Sequence, residues 1–203
     1  MSEIRHIVFD IGRVLLAWDP ERPYRTLIPD AARRRWFLDT VTTSAWNAEQ
    51  DRGRPWAEAE ALLIADYPEE EALIRAFRTH WAAMTPHLLA QTPQIMEGLV
   101  EAGHDVTMLT NFAPDTFQEA LARFPVLRRP RGVTVSGEVG LIKPDPAIYA
   151  LHAARFGLDP AATIFFDDSP DNIAAAAAAG WRAHLFTTPE RMRADFAASG
   201  IAV

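Results

Sequence analysis

Five short apolar runs along the chain have the length and composition of strands buried inside a parallel sheet. Each holds three or four residues, mostly apolar, as is typical of strands covered on both faces. The runs are 7–9, 106–109, 133–135, 163–166 and 183–186. Helical patterns lie between them at 92–102, 114–124, 146–156 and 171–179. This alternation predicts an α/β fold with a doubly wound, Rossmann-like parallel sheet.

The segment 18–86 has a different pattern. It is rich in Trp, Arg, Glu and Ala, and its helical patterns at 30–41, 55–65 and 69–84 contain no strand-like run. Because this segment directly follows the first predicted strand, we expect a small α-helical cap inserted at that point. The predicted division is therefore a core of residues 1–17 and 87–203 and a helical cap of residues 18–86.

Polar reactive side chains stand where the predicted strands end. Asp10, Thr110 and the pair Asp167–Asp168 each follow an apolar run, and Lys143 lies in a loop before a predicted helix. Ligands of open α/β sheets bind beyond the carboxyl ends of the strands, so we expect these residues to converge at one edge. An ammonium and several carboxylates at one point can hold a divalent cation and a phosphoryl group.

These residue types suit phosphoryl transfer. Mg²⁺ prefers hard oxygen ligands, which Asp10 and the acidic pair would supply. Asp10 could bind the metal with one oxygen and attack phosphorus with the other, forming an aspartyl-phosphate. Lys143 would offset the negative charge, while Thr110 and the backbone N–H of Asn111 would hold phosphate oxygens near a helix N-terminus.

Composition narrows the class of partner. The 203 residues carry a formal net charge of −7 and no basic block, so nucleic acid is not an expected partner. The absence of cysteine excludes a disulfide framework, thiolate catalysis and a cysteine zinc site. No signal-peptide pattern or membrane-length apolar run occurs, which predicts a cytoplasmic protein without a membrane partner. The sequence does not indicate the oligomeric state.

The order of Asp10, Thr110, Lys143 and the acidic pair resembles the four motifs of the haloacid dehalogenase-like hydrolase superfamily, over nearly the whole chain. The first motif, FD-x-G-x-V, is similar to a branch of small sugar-phosphate phosphatases that includes glucose-1-phosphate phosphatases. The resemblance implies a Mg²⁺-dependent phosphatase acting on a small phosphorylated metabolite. The resemblance assigns Asp10 as nucleophile and metal ligand, and the Gly12 carbonyl and Asp168 as further metal ligands. Asp167 would stand behind the metal, although the roles of Asp167 and Asp168 could be reversed. Phosphate would be bound by Thr110, Asn111 and Lys143.

The chain departs from the superfamily at Gly12. Most of its phosphatases carry there a second aspartate, which protonates the leaving group and then activates water. Losing such a group typically costs about a hundredfold to ten-thousandfold in rate. Three explanations stay open: water or another acid replaces it, the substrate has a good leaving group, or the protein binds phosphate and metal without turnover. The candidate replacements are Asp19, Asp51 and His80.

A second enzyme function uses the same nucleophile. A 2-haloacid dehalogenase would form an ester at carbon through Asp10 and needs no metal. The adjacent acids Asp167 and Asp168 would then repel an anionic substrate without purpose, so they favour metal and phosphate.

Several other side chains have both a functional and a structural interpretation. Arg13 could reach a substrate anion or lie in solvent. Asn172 could hydrogen-bond the site, and Asp171 could cap the helix that follows Asp168. Three tryptophans could line a pocket under the cap or fill its core: Trp46, Trp56 and Trp81. Trp18 lies where the first linker to the cap should leave the sheet.

Overall fold

The computed structural model describes residues 3–202, and its centre is a five-stranded parallel sheet. The strands are His6–Phe9 (β1), Asp105–Thr110 (β2), Gly132–Val135 (β3), Thr163–Asp167 (β4) and Arg182–Leu185 (β5). All five predicted strands are confirmed, with ends displaced by no more than one residue. The predicted α/β class is therefore correct.

The strand order β3-β2-β1-β4-β5 places β1 at the centre of the sheet. Phe9 of β1 is in register with Met108 of β2 on one side and with Phe166 of β4 on the other. After β3 the chain crosses back over β1 to form β4, so the order reverses between β1 and β4. Ligands of doubly wound sheets bind in the crevice at such a reversal.

Twelve α-helices surround or follow the strands within residues 3–202. Six lie between residues 18 and 86: Glu21–Leu27 (α1), Ala31–Trp36 (α2), Ser44–Asp51 (α3), Trp56–Asp66 (α4), Glu71–Thr79 (α5) and Trp81–Met84 (α6). The others are Thr92–Glu101 (α7), Pro114–Arg123 (α8), Ser136–Val139 (α9), Pro146–Phe156 (α10), Pro170–Ala178 (α11) and Pro189–Ala198 (α12). A π-helical turn spans Phe37–Val41, and 3₁₀ turns span Pro68–Glu70, Pro125–Arg128 and Pro160–Ala162.

The two faces of the sheet pack against different helices because side chains alternate along each strand. Ile7 and Phe9 point into an apolar cluster that contains Phe117 of α8 and Phe196 of α12. Val8 points to the opposite cluster, which contains residues of α10 and α11. Both faces are therefore covered, as the uninterrupted apolar runs predicted.

Helices α1–α6, which we call the helical insertion, have an apolar cluster of their own. Its buried members are Tyr24, Ile28, Phe37, Val41, Leu63, Ile74, Ala76, Phe77 and Met84. The predicted helix 69–84 is interrupted at His80, and the predicted helix 30–41 changes to a π-helical turn at Phe37. The sequence analysis missed α1, α3, α9 and α12. The limits 18–86 for a cap domain stay a prediction.

Hydrogen bonds join the helical insertion to the core. Trp56 Nε1 donates to Asp115 at 3.2 Å, and Arg78 Nε donates to the same carboxylate at 3.0 Å. Farther along, the guanidinium of Arg123 donates to the hydroxyl and the carbonyl of Thr85 at 2.8 and 2.9 Å. The insertion is thus tied to α8 at two places.

Gly53 lies where the insertion approaches the core most tightly. Its φ is +110°, and a Cβ at this position would stand 2.8 Å from the carbonyl oxygen of Gly137 in α9. Only glycine combines this dihedral angle with so short a backbone approach. The end of α3, two residues earlier, is therefore held against the core.

Within residues 3–202, no helix combines the length and the apolar character that a membrane crossing requires.

His152 of α10 is buried against the sheet between two threonine hydroxyls. Its Nε2 lies 3.0 Å from Oγ1 of Thr107, and its Nδ1 lies 2.8 Å from Oγ1 of Thr134. Burial, assisted by the positive charge of Arg155, lowers the pKa of His152 to about 3. The folded protein therefore keeps this imidazole neutral in mildly acidic solution.

We predict that His152 makes stability fall with acidity. Below the unfolded-state pKa of about 6.5, the unfolded chain binds a proton that the folded protein refuses until pH reaches about 3. The free energy of unfolding should lose up to about 1.4 kcal/mol per pH unit in this window from this group. In His152→Gln this contribution disappears, so its stability deficit relative to the wild type should shrink as the pH falls. Urea denaturation at a series of pH values measures this.

The matched control is His87→Gln, because His87 is exposed. It should keep the wild-type pH dependence. Parallel curves for His152→Gln and the wild type would contradict the prediction.

Candidate active site

Asp10 stands directly after β1 at the crevice of the sheet. Its backbone N–H donates to the carbonyl of Phe166 in β4 at 2.9 Å, which extends the strand pairing by one residue. Asp10 therefore lies beside Asp167, the last residue of β4. Two carboxylates predicted from distant sequence positions meet because the register of two parallel strands brings them together.

Lys143, the only lysine in the sequence, bridges these two carboxylates. Its Nζ lies 2.8 Å from Oδ1 of Asp10 and 2.6 Å from Oδ2 of Asp167. The same ammonium donates to the carbonyl of Leu109 in β2 at 3.0 Å. The Lys143 side chain is 1% exposed, so its three N–H groups have protein acceptors in place of water.

Asn111 holds the backbone of Lys143 in place. Its Nδ2 donates to the Lys143 carbonyl at 2.9 Å, and the Lys143 N–H donates to its Oδ1 at 2.8 Å. Both polar ends of this side chain are thereby occupied. Asn111 can offer a ligand its backbone N–H, as the sequence analysis expected, but its amide group acts as a clamp on the lysine loop.

Asp167 is surrounded by donors from its own chain segment. Its Oδ1 accepts from the Ser169 N–H at 2.8 Å and from Asn172 Nδ2 at 2.9 Å, while Oδ2 accepts from Lys143. The residue is fully buried. The expectation that Asn172 hydrogen-bonds the site is confirmed. The expectation that Asp171 caps α11 is wrong, because the Ser169 side chain accepts the Asn172 N–H in that role.

Asp168 has a more open environment than Asp167. Its side chain is 29% exposed, and its nearest ionic partner is the Arg13 guanidinium at 3.7 Å. The Arg13 side chain is 58% exposed, and its backbone has a φ of 55°, in the left-handed region. Asp168 is therefore the acid of the pair that is more accessible to a ligand.

Asp10, Asp167 and Asp168 each place a carboxylate oxygen within 4.8 Å of the others. Burial raises the pKa of Asp10 to about 7 against the opposing effect of Lys143. Burial and the neighbouring charge of Asp167 raise the pKa of Asp168. Burial alone would lower the pKa of Lys143, but the two carboxylates outweigh it and raise that pKa. Three acids face one buried ammonium, so this oxygen donor set fits a hard divalent cation.

A cavity of about 170 Å³ opens over this cluster. Its lining residues are Asp10, Gly12, Arg13, Trp18, Asn111, Lys143, Asp168 and Asn172. Six of the eight residues predicted for the site therefore surround one space. The other two, Thr110 and Asp167, are buried at the strand ends and do not line it.

A second cavity of about 100 Å³ shares Gly12, Trp18 and Asn111 with the first and extends under the helical insertion. Its other lining residues are Leu16, Ala17, Asn47, Asp51, Trp56, Trp81, Thr85, Phe112 and Thr116. Trp56 and Trp81 therefore line a pocket, which was one of the two roles expected for them, and Trp18 lines the same cavity. Trp46 lines none of the three described cavities, and its ring packs against those of Trp56 and Phe77, 5.9 and 5.3 Å away between centroids.

Sequence analysis did not single out Asn47, Thr85 or Phe112 as site residues. The spacing of Asn47 and Asp51 carried a usable signal, because residues four apart share one helix face. That signal needed α3 to be recognised as a helix. Thr85 and Phe112 reach the cavity through tertiary contacts, of Thr85 with Arg123 in α8 and of Phe112 with Trp81 in α6.

Comparison with known proteins agrees with the motifs. The model of the haloacid dehalogenase-like hydrolase family matches residues 4–180. A phosphoserine phosphatase from Thermus thermophilus is 34% identical over 95 residues, which are 45% of this chain and 38% of that enzyme. The chain therefore matches well under half of the length of this curated relative.

Solved structures share the fold. A HAD family enzyme from Bacteroides thetaiotaomicron in complex with magnesium and inorganic phosphate has a TM-score of 0.71 at 21% identity, covering 91% of this chain and 94% of that one. An L-2-haloacid dehalogenase from Xanthobacter autotrophicus with chloropropionic acid covalently bound has a TM-score of 0.67 at 18% identity, covering 98% and 85%. The family match spans most of the chain, and the chain belongs to the haloacid dehalogenase-like hydrolases.

Proposed function

We propose that this protein hydrolyses a small phosphomonoester, of which a sugar phosphate is the leading candidate, in a Mg²⁺-dependent reaction. The observation that carries the proposal is the cluster of three carboxylates around one buried ammonium. Lys143 contacts both Asp10 and Asp167, and Asp168 places a carboxylate oxygen within 4.8 Å of the oxygens of those two acids. A site that collects three carboxylates needs more positive charge than one lysine supplies. A divalent cation would supply this positive charge and would help the site to bind a phosphoryl group.

Asp10 is the proposed nucleophile. One of its oxygens contacts Lys143, which leaves the other for attack on phosphorus and formation of an aspartyl-phosphate. Lys143 neutralises charge on Asp10 and on the transferring group. The backbone N–H of Asn111, together with Thr110 at the end of β2, supports the phosphate oxygens in this proposal.

The proposed metal ligands are Asp10, the Gly12 carbonyl and Asp168. Asp168 is preferred to Asp167 as a direct ligand because the oxygens of Asp167 already accept hydrogen bonds from Ser169, Asn172 and Lys143. When bound, Mg²⁺ would supply positive charge for the phosphate oxygens. In this proposal Asp167 does not bind the metal directly; it holds the Lys143 ammonium in place from behind the cavity.

The relatives support phosphate chemistry at the level of the family. The partial match to a phosphoserine phosphatase favours a phosphatase, although its substrate belongs to that enzyme. The alternative is a 2-haloacid dehalogenase, since dehalogenases share the fold. The acidic cluster argues against it, because an anionic haloacid without a metal would meet three carboxylates. The similarity to glucose-1-phosphate phosphatases and the cytoplasmic location stay predictions.

We predict metal-dependent turnover of para-nitrophenyl phosphate. Activity should require Mg²⁺, disappear with EDTA, and fall about a thousandfold or more in Asp10→Asn, which removes the nucleophile. The control is Asp66→Asn, an equally conservative change at an exposed position of α4, which should behave as the wild type. Release of halide from a 2-haloacid in EDTA, without phosphatase activity, would contradict the proposal and favour the dehalogenase.

We predict that Lys143→Met abolishes turnover and also destabilises the fold. Removing one partner of a buried ion pair typically costs about 3–5 kcal/mol, because the carboxylates lose their compensating charge. Adding Asp167→Asn should recover part of this loss, since one of the two uncompensated acids becomes neutral. Urea denaturation of the single and double variants at neutral pH measures it. A Lys143→Met variant as stable as the wild type would contradict the prediction.

A further inference from the structure

We propose that Asp51 of the helical insertion donates the proton to the leaving-group oxygen and later takes one from the attacking water. This inference rests on the proposed function, and it supplies the general acid and base that Gly12 lacks. Asp51 would then be a catalytic residue delivered by the insertion to a nucleophile on the core.

The position of Asp51 relative to Gly12 carries the argument. Both residues line the 100 Å³ cavity, while Gly12 also lines the cavity over Asp10 and Asp168. An added Cβ at Gly12 would meet no atom within 4 Å, so the space of the missing side chain is open. Asp51 and Gly12 thus border one space, and Gly12 also borders the cavity over the proposed nucleophile.

The space beyond Asp51 is suited to a leaving group. Asp51 also lines a wider cavity of about 560 Å³, which reaches Arg13, Trp18 and Phe77. Asp51 therefore borders both the cavity that it shares with Gly12 and a volume large enough for the rest of a phosphomonoester. A proton donor must occupy this place, within hydrogen-bond reach of the bridging oxygen.

Three contacts fix the end of α3 on which Asp51 stands. Its Oδ2 accepts from Asn47 Nδ2 at 3.1 Å, one turn earlier in the helix. Its backbone carbonyl accepts from the Ser136 hydroxyl, which in turn accepts the Phe112 N–H at 2.8 Å. Two residues after Asp51, Gly53 lies close to the backbone of Gly137. The core therefore holds the backbone of Asp51, while the carboxylate accepts from Asn47 of its own helix and from the Ala113 N–H of the core.

The electrostatic setting agrees with proton transfer near neutral pH. Burial raises the pKa of Asp51 to about 7, the Ala113 N–H opposes this, and the negative charge of Asp10 adds to it. A general acid is most effective when its pKa lies near the working pH.

The other acids considered have poorer positions. Asp19 pairs with Arg25 at 3.0 Å, and His80 is exposed with its Nδ1 3.1 Å from the Ala76 carbonyl. Neither lines any of the three cavities described. Glu21 and Asp39 line only the wide outer cavity. Among the described acids of the insertion, Asp51 alone shares a cavity with Gly12.

The proposed steps balance. As the Asp10 oxygen bonds to phosphorus and the bond from phosphorus to the leaving oxygen breaks, the Asp51 carboxyl gives its proton to that oxygen and an alcohol departs. In the second step the Asp51 carboxylate takes a proton from water as the water oxygen bonds to phosphorus. The bond from phosphorus to Asp10 then breaks, and inorganic phosphate leaves with Asp51 protonated again.

The test compares Asp51→Asn with the wild type on phenyl phosphates of increasingly basic phenols and on an alkyl phosphate, glycerol phosphate, all with Mg²⁺. We expect kcat/KM to fall less than about tenfold for the most activated phenyl phosphate and about a hundredfold to ten-thousandfold for the alkyl phosphate. An equal fall on every substrate would overturn the proposal, because it would indicate a binding or structural role. Asp19→Asn, the matched control, should retain the wild-type dependence on the leaving group.

A second variant restores an acid at position 12, which lines the same cavity as Asp51. Gly12→Asp in the Asp51→Asn background should regain at least tenfold in alkyl phosphate hydrolysis, since position 12 has room for the side chain. No recovery in a folded double variant that still cleaves the activated phenyl phosphate would also overturn the assignment. If the wild type turns over none of these phosphates, the proposed function fails, and the role of Asp51 fails with it.

Discussion

The structure of the site depends on the compensation of buried charge at Lys143. Moving an ammonium and two carboxylates out of water is expensive, and the cost is offset only when their geometry and hydrogen bonds are good. Here the three groups come from the ends of β1 and β4 and from the loop before α10, so none can form its contacts until the sheet is assembled. The Asn111 clamp and the Leu109 carbonyl complete this arrangement from β2 and the loop after it.

The negative charge that Lys143 leaves uncompensated distinguishes this cluster from a purely structural ion pair. Lys143 compensates the inner part of the acidic cluster, while Asp168 stays partly exposed beside the cavity. A cluster that was fully compensated would be a structural ion pair and nothing more. In the proposed function, the carboxylate oxygens on the cavity side would hold a cation, and the cation would attract a phosphate to the cavity.

Much of the core could be predicted from sequence because its signals are local. The short apolar runs identify the strands, and Asp10, Lys143 and the acidic pair could be placed because strand ends share one edge. The proposed preference for Asp168 over Asp167 as metal ligand follows what the family resemblance implied, and the side-chain hydrogen bonds of Asp167 add a physical reason that no sequence pattern encodes. Likewise, α3 is short and mostly polar, and the position of Asp51 depends on a backbone approach between Gly53 and Gly137, 84 residues apart in the chain.

The solitary lysine makes the site spectroscopically accessible. Because Lys143 is the one lysine of the sequence and its ammonium contacts Asp10, the proposed nucleophile, isotopic labelling of lysine alone would place a single side-chain reporter in the candidate active site. Its chemical shift would follow the charge state of Asp10 directly, without a mutation or an attached probe.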